Sequence, residues 1–549
     1  MEVYLNFLRR EAKGVTSKLI LTAVAAGLFN ALSIALVIKA ASAVAAQEPE
    51  FKYFVLIVIT LVGFFATKRH VLDRTSLIVE GILARVRLRL AEKIQRTNLE
   101  VLERIGQSPL YTAVSTHTET ISDGFMTLVN AATAAFIVGF ASLYVISLSV
   151  TAFVLTALML AWLVFFYVLQ KRGASENYKK CAKLEDEYFE GFNDLLTGFK
   201  ELKMNSRKSA EFFETKLVRL SAETQDIKIK TLQAFNKCAL IGQGSVFILV
   251  ASALFILPVI TPDDLSKIPA IIAVILFIFG PISEIVSSIP YISRAAVSIQ
   301  VVDNLESQLD GFLIAKPIEG SALPELGEAF ESIVCNQVLF SYSTEAGEAP
   351  FSIGPLDFTL RAGEVVFIIG GNGSGKSTFL KVLTGLYPHK SGEFTVNGHL
   401  LGPLQITAYR NLFSPIFSDY HLFDKLYGVD SVDDAEAEEL IIQMGLSEKT
   451  QIIRREISNR KLSTGQRKRL ALAVAILEDK PIFLFDEWAA DQDPEFRRYF
   501  YEKILPELVA DGKTVIAATH DDRYFHVANR VLKLEYGKFV PWASPPAGG

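Results

Sequence analysis

The stretch that decides the fold of the second half of the chain is residues 365–386, VVFIIGGNGSGKSTFLKVLTGL. Its first five residues are apolar and predict a short buried strand, and a glycine-rich turn then leads into a helix at Lys376. The pattern G-x-x-x-x-G-K-S in this context is typical of a P-loop, whose backbone N–H groups surround nucleotide phosphates. We therefore predict nucleotide binding by Gly370, Gly371, Asn372, Gly373, Ser374, Gly375, Lys376, Ser377 and Thr378.

Two further apolar runs, PIFLFDE and TVIAATH, end in polar residues. Ligands of a parallel α/β sheet collect at the carboxyl ends of its strands, so Asp486, Glu487 and His520 should face the P-loop. This set suits ATP and Mg²⁺: Lys376 reaches the β and γ oxygens, Ser377 and Asp486 serve the metal, and Glu487 polarises the attacking water. His520 is expected to bond the γ-phosphate. Alternatively, Asp486 and Glu487 are only acids in the first turn of a helix, and His520 is purely structural.

Residues 462–473, LSTGQRKRLALA, form a loop with hydroxyl and glycine residues that leads directly into a helix. Unpaired N–H groups and the helix dipole make such a start a phosphate site. An ordinary Ser463 N-cap on a surface helix explains the same residues. The local sequence leaves both interpretations open.

The composition indicates a membrane-embedded part. Half of the residues (50%) are hydrophobic, 21% are charged, and the mean hydropathy is +0.31, which is too apolar for an ordinary soluble enzyme of 549 residues. The net charge of −5 gives no reason to expect a nucleic-acid partner, and the three cysteines show no CxxC spacing. The apolar runs predict about six spans in a lipid bilayer, at about 19–38, 51–67, 128–147, 151–170, 240–260 and 268–290.

The Lys and Arg residues of the connecting segments predict the orientation. Residues 68–127 carry nine and residues 171–238 carry fourteen, whereas the three short turns carry one in total. By the positive-inside rule the long segments and both termini are cytoplasmic. The long segments have helical periodicity, so each is predicted to be a helical hairpin, turning at Gln107–Thr116 and at Met204–Lys208 and docking against something on the cytoplasmic side. The first span is read as uncleaved.

The order and spacing of the P-loop, LSTGQ, FLFDE and ATH resemble one family, the ATP-binding cassette (ABC) proteins, over residues of about 327–540. The preceding part looks like the six-helix domain of an ABC exporter. The resemblance implies that Tyr342 stacks on adenine and that Asp493 is the acid of the dimer-contacting loop. It also implies that Ser463, Thr464, Gly465 and Gln466 form the signature sequence, which covers the ATP held by a partner chain. One P-loop, one signature and about six spans make half a transporter, so the resemblance implies a homodimer.

Two positions depart from the family pattern. The signature is usually LSGGQ, and Thr464 adds a side chain where a glycine is usual. Alignment on FSDYHLF places Ser418 where family members usually carry the Q-loop glutamine. The Mg²⁺ contact that the glutamine makes in the family is therefore in doubt for this chain. All catalytic acids remain, so no loss of ATPase activity is inferred.

The stretches FSDYHLFD, LSTGQRKRLAL and FDEWAADQDPEFRRYFYEKILP resemble the cyclic-peptide and siderophore branch of ABC exporters, and within it those that export a pyoverdine siderophore precursor in fluorescent pseudomonads. The resemblance implies export of such a peptide from the cytoplasm to the periplasm across the inner membrane. An ABC lipid or lipopeptide flippase or a multidrug-type exporter would share nearly every residue named. Glu284, just past an expected helix break at Gly280–Pro281 in the last span, is a candidate contact for a cationic cargo, or alternatively an acid at the membrane edge.

The predicted fold is thus an α-helical six-span transmembrane domain of ABC exporter type, residues 1–315, followed by a linker at 316–326. An α/β P-loop NTPase domain with a helical subdomain follows at 327–541 and is expected in the cytoplasm, and a Pro- and Gly-rich tail at 542–549 is expected to be flexible.

Overall fold

The computed structural model describes residues 2–11, 16–311, 329–342 and 351–542. The chain divides into two compact units. The first comprises Met1–Gln95 and Ile105–Gly311, and the second comprises Arg96–Arg104 and Phe312–Gly549. The predicted linker at 316–326 lies outside the described residues, as does the predicted tail beyond residue 542.

The first unit is helical throughout its described part. Its helices are α1 (Glu2–Glu11), α2 (Thr16–Ala45), α3 (Phe51–Arg96), α4 (Leu99–Ile105), α5 (Gln107–Thr112), α6 (Thr118–Leu148), α7 (Val150–Thr197), α8 (Phe199–Met204), α9 (Ser206–Phe212), α10 (Arg219–Phe255), α11 (Leu257–Ile260) and α12 (Ile268–Asp310), of which α4 belongs almost wholly to the second unit. Wider π-helical turns, Ala113–His117 and Phe213–Val218, precede α6 and α10, and a 3₁₀ turn, Pro262–Lys267, precedes α12.

In the described part of the chain, five stretches are long and apolar enough to cross a membrane: Lys18–Val44, Phe51–Arg96, Gln107–Leu148, Ser206–Ile260 and Leu265–Asp310. They contain five of the six predicted spans. The sixth, at 151–170, lies within the continuous helix α7, which begins at Val150. Large apolar side chains are exposed along these helices, for example Leu21, Val62 and Val164, as expected where lipid replaces water as the solvent.

The spans pack through a buried apolar cluster shared by α6, α10 and α12, in which Val145, Leu249 and Ile275 are members. Helix α12 is continuous from Ile268 to Asp310 although it contains Pro281 and Pro290. The expected break at Gly280–Pro281 is therefore wrong. A proline removes only one N–H donor from the helix, and packing against neighbouring helices can support the rest of the turn.

The predicted turn at Gln107–Thr116 is also wrong. The chain turns earlier, between the end of α3 at Arg96 and Gly106, whose positive φ of 80° marks the break. Residue Pro109 lies in the first turn of α5, where proline is compatible with a helix because the first N–H groups have no partner. The second predicted turn, Met204–Lys208, is confirmed: α8 ends at Met204, and Asn205 is extended and caps α9 by accepting from the N–H of Lys208.

Within residues 329–342 and 351–542, the second unit contains three sheets. Its strands are β1 (Ser332–Ser341), β2 (Ser352–Arg361), β3 (Val365–Ile369), β4 (Ser391–Val396), β5 (His399–Leu400), β6 (Phe413–Ile416), β7 (Ile452–Ile453), β8 (Glu456–Ile457), β9 (Ile482–Asp486), β10 (Thr514–Ala518), β11 (Arg530–Glu535) and β12 (Lys538–Val540). Its further helices are α13 (Lys376–Leu383), α14 (Ile406–Arg410), α15 (Asp434–Gln443), α16 (Thr464–Leu477), α17 (Pro494–Tyr499) and α18 (Leu505–Ala510).

The central six-stranded sheet has the order β12-β11-β3-β10-β9-β6, and all neighbours are parallel except the edge strand β12. Strands β3, β9 and β10 are buried along their whole length, which explains their continuous apolar sequences. A second, antiparallel sheet has the order β2-β1-β4-β5, and β7 and β8 form a short hairpin. Apolar cores lie on both faces of the central sheet.

Candidate active site

Four adjacent parallel strands deliver the predicted site residues to one edge of the central sheet. Strand β3 leads into the P-loop, and β9 ends at Asp486 with Glu487 next in the chain. Strand β10 ends two residues before His520, and β6 ends two residues before Ser418. Because these strands lie side by side in the order β3-β10-β9-β6, their carboxyl ends form one cleft.

The P-loop backbone requires glycine at two positions in particular. Gly375, the N-cap of α13, has φ +103°, and Gly370 has φ +154°. A Cβ on Gly370 would lie 2.2 Å from the carbonyl oxygen of Leu534, so no other residue fits there. The amides of Lys376, Ser377 and Thr378 form the first turn of α13, where no carbonyl of the helix can accept from them, and they are available to an anion.

Three predicted side chains meet at the front of this loop. The Lys376 Nζ lies 3.0 Å from His520 Nε2 and 3.3 Å from Glu487 Oε1, and His520 Nε2 lies 3.2 Å from the same Glu487 oxygen. Because lysine only donates, His520 Nε2 either accepts from Lys376 or donates to Glu487, but not both at once. Lys376 also donates to the carbonyl of Gly370 at 3.0 Å. The buried ammonium is thus placed where it can leave these acceptors for a phosphate.

The buried carboxylate of Asp486 accepts from two hydroxyls. Ser377 Oγ donates to Oδ1 at 3.1 Å and Ser418 Oγ donates to Oδ2 at 2.8 Å. Within the described parts of the chain, Asp486 forms no ion pair although it is 2% exposed. A buried anion surrounded by hard oxygen donors fits Mg²⁺, which binds few protein carboxylates and keeps phosphate and water ligands. The residue at the Q-loop position, Ser418, thus touches the same carboxylate as Ser377.

The backbone of Glu487 adopts the left-handed conformation, with φ 50° and ψ 36°, which costs a non-glycine residue about 1–3 kcal/mol. Two contacts hold it: its N–H donates to the Ala518 carbonyl at 3.0 Å, and its carbonyl accepts from Lys468 Nζ at 2.9 Å. Lys468 also pairs with Asp491 at 2.8 Å and is only 3% exposed.

Sequence reasoning missed Lys468, because in the run Arg467–Lys468–Arg469 it looks like a solvated cation. Helical periodicity could have found it. Lys468 is in phase with the buried residues Leu472 and Ala475 of α16.

Aromatic side chains border the P-loop. Tyr342 lies next to the P-loop, with its hydroxyl 3.1 Å from Thr378 Oγ1. Its ring centroid is 6.5 Å from that of Phe351. Both rings line a cavity of about 560 Å³, together with residues 372–378 and Glu487. Phe351 was not predicted, since no motif marks an isolated aromatic before β2.

The signature residues lie at the start of α16. Ser463 caps the helix by a capping box, in which the Gln466 N–H donates to Ser463 Oγ at 3.4 Å and the Ser463 N–H donates to Gln466 Oε1 at 3.1 Å. The N-cap interpretation is thus confirmed for the local geometry. Thr464 is exposed, and the Gly465 carbonyl accepts from Gln492 at 3.2 Å. Residues 463–466 are not among the described residues that line the chain's own P-loop cavity.

Asp493 is the N-cap of α17. Its carboxylate accepts from the Phe496 N–H at 2.9 Å and pairs with Arg469 of α16. The Phe496 N–H and the Arg469 guanidinium hold the pKa of Asp493 below its usual value, so the carboxylate stays charged at neutral pH. The signature helix and the loop at Asp493 are therefore joined within one chain.

Glu284 lies on an exposed position of α12. The small cavity next to it is lined by Ile282, Ser283, Val286 and Ser287, and Glu284 is not among its described lining residues.

Comparison with known proteins agrees with this geometry. Residues 353–490 match the family model described as ABC transporter. The chain is 33% identical to the ATP-binding protein SyrD of Pseudomonas syringae pv. syringae over 477 residues, covering 84% of this chain and 82% of that protein. It is 27% identical over 310 residues to the ATP-dependent lipid A-core flippase of Methylobacillus flagellatus, covering 54% of this chain and 51% of the flippase.

A solved structure has the same fold. It is that of a bacterial Atm1-family ABC exporter with ATP bound, superposed with a TM-score of 0.77 at 17% identity over 97% of this chain and 95% of that one. The similarity to SyrD over most of both chains shows the family, and the bacterial relatives are consistent with the inner membrane. This chain belongs to the ABC exporters of the peptide or lipid type, multi-pass membrane proteins that couple ATP hydrolysis to transport.

Proposed function

We propose that this exporter moves a nonribosomal or cyclic peptide, a siderophore precursor of the pyoverdine kind, from the cytoplasm to the periplasm across the inner membrane. The resemblance of FSDYHLFD, LSTGQRKRLAL and FDEWAADQDPEFRRYFYEKILP to the cyclic-peptide and siderophore branch supports the cargo class. The similarity over 84% of the chain to SyrD of Pseudomonas syringae pv. syringae supports this branch.

The observation that carries the ATPase roles is the meeting of Lys376, His520 and Glu487 within 3.3 Å of one another. Lys376 neutralises the β and γ oxygens of ATP, Glu487 accepts a proton from the attacking water, and His520 donates to the γ-phosphate. Ser377 and Asp486 would hold Mg²⁺, which would neutralise the charge of the phosphates, and Ser418 would orient Asp486. The residues 370–378 and the ring of Tyr342 bind the nucleotide.

We further propose that two copies of the chain form the transporter. Ser463, Thr464, Gly465 and Gln466 start a helix whose first N–H groups and dipole suit an anion, and these residues do not line the described cavity of their own P-loop. In a homodimer each signature covers the ATP of the other chain, and Asp493 contacts the partner. Glu284 on the exposed side of α12 is a candidate contact for a cationic cargo.

The assignment of Glu487 is tested by Glu487→Gln. The amide cannot accept a proton, so ATP turnover should fall by about 10²- to 10⁴-fold, while ATP binding remains because the P-loop is unchanged. Phosphate release and binding of a fluorescent ATP analogue by the purified full chain measure the two effects. The exposed Glu448 provides the matched control, Glu448→Gln, which should hydrolyse ATP like the parent. A Glu487→Gln chain with unchanged turnover would remove Glu487 from the mechanism.

The cargo is tested in inside-out membrane vesicles. A labelled siderophore precursor should accumulate inside vesicles that contain the parent chain and ATP, and not in vesicles with Glu487→Gln. The second candidate, lipid flipping, is suggested by the similarity to the lipid A-core flippase. Stimulation of ATP hydrolysis by lipid A-like lipids but not by acyl-peptides would favour it over peptide export.

A further inference from the structure

A cavity of about 200 Å³ with both polar and apolar walls lies within the helical unit. Its walls come from residues 116–120, 178–185, 228–232 and 294–298. Each of these ranges lies just outside a predicted span, on the side that carries the basic segments. The cavity therefore opens where the four helices leave the apolar layer, on the side from which an exporter takes its cargo.

The cavity is formed around a buried imidazole. His117, the last residue of the π-helical turn before α6, is 8% exposed, and its Nδ1 lies 3.1 Å from Oγ of the buried Ser298 of α12. A π turn is a local widening of the helix that is frequent at functional sites. Here it places a polar ring, held by a hydroxyl, on the wall of the cavity between α6 and α12.

The charges on the wall are unequal. Glu185 of α7 and Lys228 of α10 both line the cavity and form an ion pair of 2.5 Å that joins these two helices. Arg294 of α12 also lines the cavity, and among the described residues no carboxylate or hydrogen-bond acceptor pairs with its guanidinium. One positive charge is therefore left over, in a recess whose threonine hydroxyls and Tyr178 hydroxyl can donate a hydrogen bond.

We propose that this cavity binds an anionic group of the transported molecule, with Arg294 as its main contact and His117 as a further hydrogen-bonding partner. Arginine binds carboxylate and phosphate by two parallel N–H donors. A volume of about 200 Å³, several times the roughly 30 Å³ of a water molecule, accepts a terminal group and not a whole peptide. The anion is thus a carboxylate of a peptide cargo or the phosphate of a lipid. The choice of peptide as its source rests on the proposed function.

The test compares three probes on the full-length chain in lipid nanodiscs: a fluorescent N-acyl hexapeptide with a free C-terminal carboxylate, its C-terminal amide, and a phosphorylated disaccharide lipid. The variant is Arg294→Gln. The control is Arg219→Gln, which removes a cation from an exposed i,i+4 pair of α10. The carboxylate peptide should bind Arg294→Gln about tenfold more weakly than the parent, the amide should bind both equally weakly, and basal ATP hydrolysis should not change.

The outcomes separate this inference from the proposed function. Equal binding of all three probes to parent and Arg294→Gln, or no binding of any probe to the parent, overturns the anion site. A loss confined to the phosphorylated lipid supports the site but assigns it to lipid cargo. Binding that depends on Arg294 without vesicle transport of the peptide supports the site and contradicts peptide export. Transport that is indifferent to Arg294 supports export and contradicts the site.

Discussion

At the scale of single residues, the proposed general base Glu487 is held in an unfavourable backbone conformation by a buried lysine. Glu487 has a left-handed backbone, and the Lys468 ammonium bonds its carbonyl at 2.9 Å while pairing with Asp491 at 2.8 Å. Trp488 completes the arrangement, because its indole N–H donates to the Lys468 carbonyl at 2.9 Å. Lys468 does not touch the P-loop cavity, so we regard it as a residue that positions Glu487.

We expect Lys468→Met to lower kcat for ATP hydrolysis by about 10- to 100-fold, because hydrogen bonds to charged groups are worth roughly 1.5–3 kcal/mol. The KM for ATP should change little, and steady-state kinetics separate the two constants. Asp491→Asn, which keeps the bond to Glu487, should have a smaller effect on kcat. Lys449→Met, at an exposed position, is the matched control. A parallel rise of KM with unchanged kcat would show that Lys468 binds ATP and does not position Glu487.

At the scale of elements, a short segment from the first helical hairpin is part of the nucleotide-binding unit. Residues 96–104 belong to that unit, and Leu99 packs against its apolar core. Glu103 of α4 pairs with Lys381 at 2.9 Å and accepts from the Tyr387 hydroxyl. Burial, followed by the effect of Glu103, raises the pKa of Tyr387, so the hydroxyl remains a donor at every physiological pH.

Removing this contact should weaken the link between hydrolysis and transport. Glu103→Gln and Tyr387→Phe each lose a hydrogen bond worth about 1 kcal/mol. This loss lowers the equilibrium constant for docking of residues 96–104 about fivefold. We expect ATP binding and basal hydrolysis to persist while the amount of cargo moved per ATP falls several-fold in vesicles. Glu80→Gln, at an exposed position of α3, should leave this ratio unchanged. An unchanged ratio in both variants would show that α4 transmits no force through Glu103.

At the scale of the whole molecule, the signature at the start of α16 and the proposed base Glu487 are connected within one nucleotide-binding unit. In the proposed homodimer, however, they act on different ATP molecules. The signature helix α16 is connected to the loop at Asp493 by Arg469, whose guanidinium also lies 3.9 Å from the Phe496 ring centroid. The same helix reaches Glu487 through Lys468. We therefore expect that, in the proposed homodimer, a movement of the signature on one ATP shifts the proposed base Glu487, which acts on the other ATP.

Mixing two inactive chains tests whether each ATP site needs two chains. Lys376→Ala removes the phosphate contact, and Gly465→Asp disables the signature, since a Cβ there already lies 3.0 Å from the Asp491 carbonyl oxygen. If signatures act on the partner's ATP, a mixed dimer has one intact site, and vanadate-dependent trapping of nucleotide should reappear. The chain that carries both substitutions, mixed with itself, is the control and should trap none. If each chain completed its own site, the mixture would trap no more nucleotide than either variant alone.

The sequence by itself determined the features that depend on local pattern. The P-loop is recognised by its glycine spacing between a five-residue apolar strand and a helix, because backbone sterics restrict neighbouring residues. The spans are recognised by long apolar runs, because the thickness of the bilayer sets how many consecutive apolar residues are needed. It misplaced the first hairpin turn, since Pro109 is as compatible with the first turn of a helix as with a break.

Only the tertiary structure decided which distant residues share a contact. Ser418 meets Asp486 across 68 residues of chain, and Tyr387 meets Glu103 across 284. Local periodicity predicts neither pairing, because both pairings depend on strand order and helix docking. The same holds for Lys468, whose burial places a cation beside the base, and for the cavity at Arg294, whose walls come from four separate helices. Local sequence selects elements, whereas burial and pairing of charge between elements depend on how the whole chain packs.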